Sequence, residues 1–125
     1  MHAGAPVLVV DDDPTIRSSI SAILDLEGYP VATASNGAEA LAMVEEAVPS
    51  LVLLDMRMPV MDGWRFAGAL SQRSIDVPIV VVTAAQNAEE WAREVGAEGF
   101  LAKPFELAEL LAVVERHRGE ARAGD

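Results

Sequence analysis

Three runs along the chain are almost wholly apolar: Val7 to Val10, Leu51 to Leu54, and Pro78 to Val82. They are too short for membrane spans and do not alternate, so they read as strands buried on both faces of a parallel sheet. Pro30 to Ala34 and Gly99 to Ala102 read as two further strands. Between the strands, apolar residues return at helical spacing. Ile16, Ile20, Ile23 and Leu24 predict a helix from Pro14 to about Glu27, ended by Gly28. Asn36-Gly37 is a turn before a second helix with Leu41, Val44 and Val48 inward, closed by Pro49. A third helix begins near Asp62 or Gly63 and turns Trp64, Ala67 and Leu70 inward. A weakly specified fourth runs from about Ala88 to Val95 and stops at Gly96. The fifth has the cleanest period, in Leu107, Leu110, Leu111 and Val114, and residues 119–125 read as a frayed tail. Strand and helix therefore alternate five times, which predicts right-handed crossovers and a doubly wound, mostly parallel α/β sheet.

Length and composition narrow the class. The 125 residues allow one domain, with a core from about 6 to 118, and are too few for two. No apolar stretch reaches a membrane span and no signal-peptide pattern opens the chain, so a cytoplasmic location is expected. There is no cysteine, which excludes disulfide and thiolate chemistry. With 9 basic against 20 acidic residues and a net charge of -11, the surface repels phosphate backbones, so direct nucleic-acid binding is not expected.

The polar residues that interrupt this pattern do so at one kind of place. Asp11 and Asp12 follow the first strand, Asp55 follows the third, Thr83 ends the fourth and Lys103 follows the fifth. In a parallel sheet those ends share one edge, where open α/β folds bind ligands. Taken alone, each acid also fits a solvated turn, and Asp13 before Pro14 has a purely local reason as a helix cap. Brought together, three carboxylates repel one another unless a cation intervenes. A hard divalent ion such as magnesium suits that set and keeps water positions for a phosphate oxygen. Lys103 offers a point charge and Thr83 a hydroxyl to phosphoryl oxygens, while a carboxylate can act as nucleophile and form an aspartyl phosphate.

Val-Val-Asp11-Asp12, Leu-Leu-Asp55-Met-Arg-Met-Pro-Val-Met-Asp-Gly, Val-Val-Thr83-Ala84 and Gly-Phe-Leu-Ala-Lys103-Pro104-Phe105 occur in this order, from Val7 to about His117. So arranged, they resemble the receiver domains of two-component response regulators, such as bacterial chemotaxis regulators. The resemblance implies a single flavodoxin-like receiver domain of five strands in the order 2-1-3-4-5 and five helices. It implies that Asp55 accepts a phosphoryl group from a phosphohistidine on a sensor histidine kinase or phosphotransfer protein. Asp12, Asp55 and the backbone carbonyl of Arg57 would hold magnesium, with Asp11 acting mostly through a water. Thr83, Ala84 and Lys103 would bind the phosphoryl group, Thr83 and Phe100 would form the switch, and the Lys103-Pro104 peptide would be cis. The signal would pass through helix 4, strand 5 and helix 5 to a downstream protein, or to an output domain not found within this sequence.

The sequence departs from that pattern in places. The stretch between Thr83 and Gly96 is shorter than the family usually has. Phe100 lacks the hydroxyl of the commoner tyrosine, so only packing can hold it inward. Arg57 is bulky and cationic where, with Ala85, side chains usually tune loss of the phosphoryl group. Its side chain could lie across the acids at rest, cover the phosphoryl oxygens later, or point to solvent. Trp64, Met56, Met58 and Met61 read as packing residues. Trp91 reads either as half-buried or as an exposed partner anchor. His2 and His117 lie near the termini with no partner in view, and neither reads as a phosphodonor. Two other functions compete. A magnesium-dependent aspartyl-phosphate hydrolase would place two aspartates with one residue between them after the first strand, the first as nucleophile, whereas Asp11 and Asp12 are adjacent. A receiver-like interaction module that is never phosphorylated would not need Asp11, Asp12, Asp55, Thr83 and Lys103 together.

Overall fold

The computed structural model describes residues 4–118. His2 and the stretch 119–125 lie outside them. Five strands, β1 (Val7–Val10), β2 (Val31–Ala34), β3 (Leu51–Leu54), β4 (Ile79–Thr83) and β5 (Gly99–Ala102), alternate with five helices. These are α1 (Pro14–Leu26), α2 (Gly37–Glu46), α3 (Gly63–Gln72), α4 (Ala88–Val95) and α5 (Leu107–His117). All strand pairings are parallel and the order is β2-β1-β3-β4-β5. The alternation of strand and helix accounts for the parallel pairing, since each helix carries the chain back to the start of the next strand.

Two cores flank the sheet. Leu8, Val10, Val52, Leu54 and Val81 face α2, α3 and α4, meeting Leu41, Val44, Phe66, Leu70 and Trp91. Val7, Val9, Leu51, Leu53, Val80 and Val82 face α1 and α5, meeting Ile20, Leu24, Leu110 and Val114. Successive strand residues point to opposite faces, so burial of both faces demands the unbroken apolar runs.

The helices begin and end on local signals. Asp13 accepts hydrogen bonds from the Thr15 and Ile16 amides, with Pro14 opening α1. Asn36 caps α2 through the Glu39 amide, and Asp62 caps α3 through the Arg65 amide. At the end of α1, Gly28 has φ +87°, its amide bonds Asp25 and the Tyr29 amide reaches Leu24. This is a Schellman motif, and only the glycine enters its left-handed region without strain.

Two expected inward positions, Val48 and Leu107, are corrected, and so is the isolation expected of His117. Trp64 packs half-buried against the core, and Phe66 holds the fully buried position of α3. Val48 lies beyond the end of α2 and is exposed, with Ala40 buried in its place. Leu107 opens α5 on its exposed side. His117 is not isolated: a β-carbon at Gly99 would come within 3.0 Å of its Nε2, so the ring lies against β5.

The loop leaving β3 carries backbone strain. Val60 has φ +70°, and the Met61 amide bonds the Pro59 carbonyl at 2.7 Å, a three-residue γ-turn around a β-branched residue. The Val60 side chain is 74% exposed, so little packing offsets the strain. Val60→Gly is therefore expected to stabilise the protein by about 1 kcal/mol, the relief of strain exceeding the entropy cost of glycine. Thermal denaturation should show a rise of a few degrees, and a fall would mean that the side chain packs better than its exposure suggests.

Candidate functional site

The strand register builds the site. Val10 pairs with Leu54, so Asp11 and Asp55 leave the sheet side by side, and the Asp55 amide extends the ladder to the Val10 carbonyl at 2.9 Å. Thr83 pairs with Ala102, and the Lys103 amide bonds the Thr83 carbonyl, so Lys103 arrives at the same edge. This edge lies where the chain order reverses between β1 and β3, the usual ligand crevice of such sheets.

Asp11, Asp55 and Thr83 are buried, whereas Asp12 is exposed. Carboxylate oxygens of Asp11, Asp12 and Asp55 all lie within 4.8 Å of one another. Asp11 is the most heavily partnered: Lys103 Nζ stands 2.7 Å from its Oδ2, and the Asp13 amide donates to its Oδ1 at 2.9 Å. Arg17 Nη1 donates to the Asp11 carbonyl at 2.7 Å, an anchor that the sequence pattern had not singled out. Asp55 Oδ1 accepts from the Met56 amide at 2.9 Å. The Thr83 hydroxyl accepts from the Ala85 amide at 3.4 Å. The Lys103-Pro104 peptide is cis.

Asp55 is the titratable group that this arrangement disturbs. Burial raises its pKa from 3.8 to about 6; Lys103 and the Met56 amide lower it, and the charges of Asp11 and Asp12 raise it. The carboxylate is thus held mostly ionised near neutral pH but at a cost, which is what a site completed by a cation would show. The donor set of three carboxylates, one of them exposed, fits magnesium, which takes few protein oxygens and keeps waters.

The remaining expected residues sit around this centre. Ala84 is exposed and, with Lys103, lines an apolar groove formed by Ile16, Ile20, Ile23, Pro104 and Phe105. Phe100 is 42% exposed, on the outer side of β5. Met56 is fully buried, and Met58 and Met61 pack against the α2–α4 core. Arg57 is exposed, and its guanidinium lies over the ring of Trp91, 5.0 Å from the centroid, rather than across the acids. Trp91 is itself buried, so it is not an exposed anchor. That pairing joins residues from two segments, and no spacing in the sequence signals it.

The chain matches the family described as response regulator receiver domain over residues 7–115. It is 44% identical over 118 residues to the transcriptional regulatory protein PrrA of Mycobacterium tuberculosis, covering 90% of this chain and 51% of that protein. It is 41% identical over 108 residues to the response regulator MprA of Mycobacterium avium, covering 85% of this chain and 47% of the relative. The chain thus spans about half the length of these relatives. Among solved structures, the chemotaxis protein CheY4 of Vibrio cholerae superposes with TM-score 0.83 at 38% identity, covering 92% of this chain and 99% of that one. The receiver domain of NtrX from Brucella abortus gives TM-score 0.83 at 32% identity, covering 91% and 98%.

The disturbed carboxyl has a measurable consequence. Between the unfolded pKa of 3.8 and the native value of about 6, the native protein holds a proton on Asp55 that the unfolded chain has released. The contribution of Asp55 is therefore most favourable below the lower value and is lost as pH rises through the interval. In chelator, the melting temperature of Asp55→Asn relative to wild type should climb from pH 4 to pH 6 and level off above it. A difference that stays flat across that range would show that burial does not disturb this carboxyl.

Proposed function

Because the chain belongs to the response regulator receiver domain family, we propose that it is a phosphorylation-controlled switch with Asp55 as the phosphoacceptor. The observation that carries this reading is the meeting of three carboxylates within 4.8 Å, with Lys103 held among them by Asp11. An ionised Asp55 oxygen attacks the phosphorus of a phosphohistidine on a sensor histidine kinase or phosphotransfer protein. The P–N bond breaks as the P–O bond forms, and the imidazole leaves with its electron pair. Asp11, Asp12, Asp55 and the Arg57 carbonyl would hold magnesium, which when bound neutralises carboxylate charge and draws a phosphoryl oxygen into line.

The chain's own groups supply the rest. Lys103 reaches from Asp11 to the new phosphoryl oxygens, and the Ala84 amide and the Thr83 hydroxyl donate to them. As Thr83 moves toward Asp55 it leaves space that Phe100, outward at rest, can fill. The α4–β5–α5 surface then changes by a shift of population between two states. The chemistry is self-directed, with no outside substrate turned over. The apolar groove beside Lys103 supports docking of the phosphodonor close to Asp55. The likeness to a transcriptional regulatory protein supports an output on transcription, through a separate protein or an output domain, since a net charge of -11 disfavours direct DNA contact by this chain.

Incubation with a small phosphodonor and magnesium should add the mass of one phosphoryl group, and chelator should prevent the gain. Asp55→Asn should remain folded and gain nothing; full-yield phosphorylation of that variant would refute the assignment. Lys103→Met should slow the gain by roughly a hundredfold, as loss of a positioned donor does. Magnesium should also raise the melting temperature, since binding linkage adds about 2.7 kcal/mol of stability when the free ion is a hundred times its dissociation constant. An unchanged melting temperature across millimolar magnesium would count against the metal site.

A further inference from the structure

Arg57 lies two residues beyond Asp55, in the loop leaving β3, yet its guanidinium rests on an α4 side chain. The distance of 5.0 Å from the Trp91 centroid is within cation–π reach. Trp91 is held from a second side: the Trp64 ring of α3 meets it edge-on at 4.8 Å and 70°. Trp64 Nε1 in turn donates a 2.8 Å hydrogen bond to Glu94, one helical turn beyond Trp91. One cluster thus ties α3, α4 and the β3–α3 loop together, with an exposed cation as its outermost member.

Lys103 is the cation held in the acidic pocket, 2.7 Å from Asp11, whereas Arg57 rests on the aromatic face although carboxylate charge remains uncompensated. A phosphoryl group on Asp55 changes that balance, because it adds charge and oxygens that a guanidinium can bind in a fork.

We propose that Trp91 is a positioning residue that holds Arg57 away from the acceptor at rest and yields it to the phosphoryl group, so that one guanidinium sets both the lifetime of the phosphoaspartate and the packing of α4. The proposal rests on the reading of Asp55 as phosphoacceptor. Loss of the group requires a water oxygen to attack phosphorus as the bond to the Asp55 oxygen breaks. The carboxylate leaves with the electron pair, and the proton of the water passes to the released phosphate or to solvent. Arg57 over the phosphoryl oxygens obstructs that approach, and Trp91 draws it away, so Trp91 shortens the lifetime.

The test is a double-mutant cycle on phosphate release, with acetyl phosphate and magnesium as the probe and intact mass confirming phosphorylation of each sample. Trp91→Leu should lengthen the lifetime about fivefold, equivalent to about 1 kcal/mol. In an Arg57→Gln background the same change should have no effect. Because Trp91 is buried, a second measurement keeps it in place. In Trp64→Phe, where Trp91 is the one tryptophan left, phosphorylation should alter its fluorescence, and adding Arg57→Gln should abolish that change. Phosphorylated protein in which the Trp91→Leu effect is absent, reversed or independent of Arg57, or in which Trp91 emission responds without Arg57, overturns the proposal and leaves the phosphoacceptor reading standing. Absence of any mass gain in wild type overturns that reading and the proposal with it.

Discussion

The register of β1 against β3 sets Asp11 beside Asp55, and the other groups at the sheet edge answer the charge this creates. Two buried carboxylates with an exposed third nearby cannot all ionise freely. Lys103 relieves part of the repulsion, and it arrives from β5, 92 residues further along the chain than Asp11. The pocket is therefore assembled only when β5 has joined β4 at the far side of the sheet. Its incomplete neutralisation is also what would favour a bound cation, and that cation would in turn offset the charge of a phosphoryl group. A site with its charges already balanced would have less to gain from a cation.

The same constraint explains where rigidity ends. β1, β3 and β4 are buried along their whole length, so the backbone presenting Asp11, Asp55 and Thr83 is fixed by packing on both faces. The elements beyond them are less firmly specified. α4 has eight residues, its Asn87 cap makes no side-chain hydrogen bond, and it ends on a left-handed Gly96. A helix this short has little stability of its own. Its place depends on Trp91 and Ala92 in the core and on the contact of Trp91 with Trp64. A firm pocket bordered by a helix held through a few side chains is suited to turning a local charge change into a change of surface.

Membership of the family supports the proposed chemistry in the pocket, whereas the fold alone would not, since folds of this type carry many functions. What distinguishes this chain lies in the side chains around the common centre. Under the proposed switch Phe100 would respond to Thr83 by packing alone, and Arg57 lies against an aromatic ring. In that reading these features would bear on how long a signal lasts and how it reaches α4.

Much of this was legible in the order of residues because its causes are local. Unbroken apolar runs mark strands buried on two faces, and Asp13-Pro14, Asn36-Gly37, Asp62-Gly63, Gly28 and Gly96 mark helix ends through hydrogen bonds made within a turn. The gathering of Asp11, Asp12, Asp55, Thr83 and Lys103 followed as well, because parallel strands must end on one edge. Helix faces were less secure: Phe66 was missed beside Trp64, which packs only half-buried against the core, and Val48 and Leu107 fall at helix boundaries where the period no longer constrains them. The place of Arg57 was out of reach altogether. Its direction depends on which neighbour, carboxylate or ring, stands closer and drier once α3 and α4 have packed. Spacing along the chain encodes periodicity and local caps, whereas a choice between partners on separate elements is made by distances that exist only after folding.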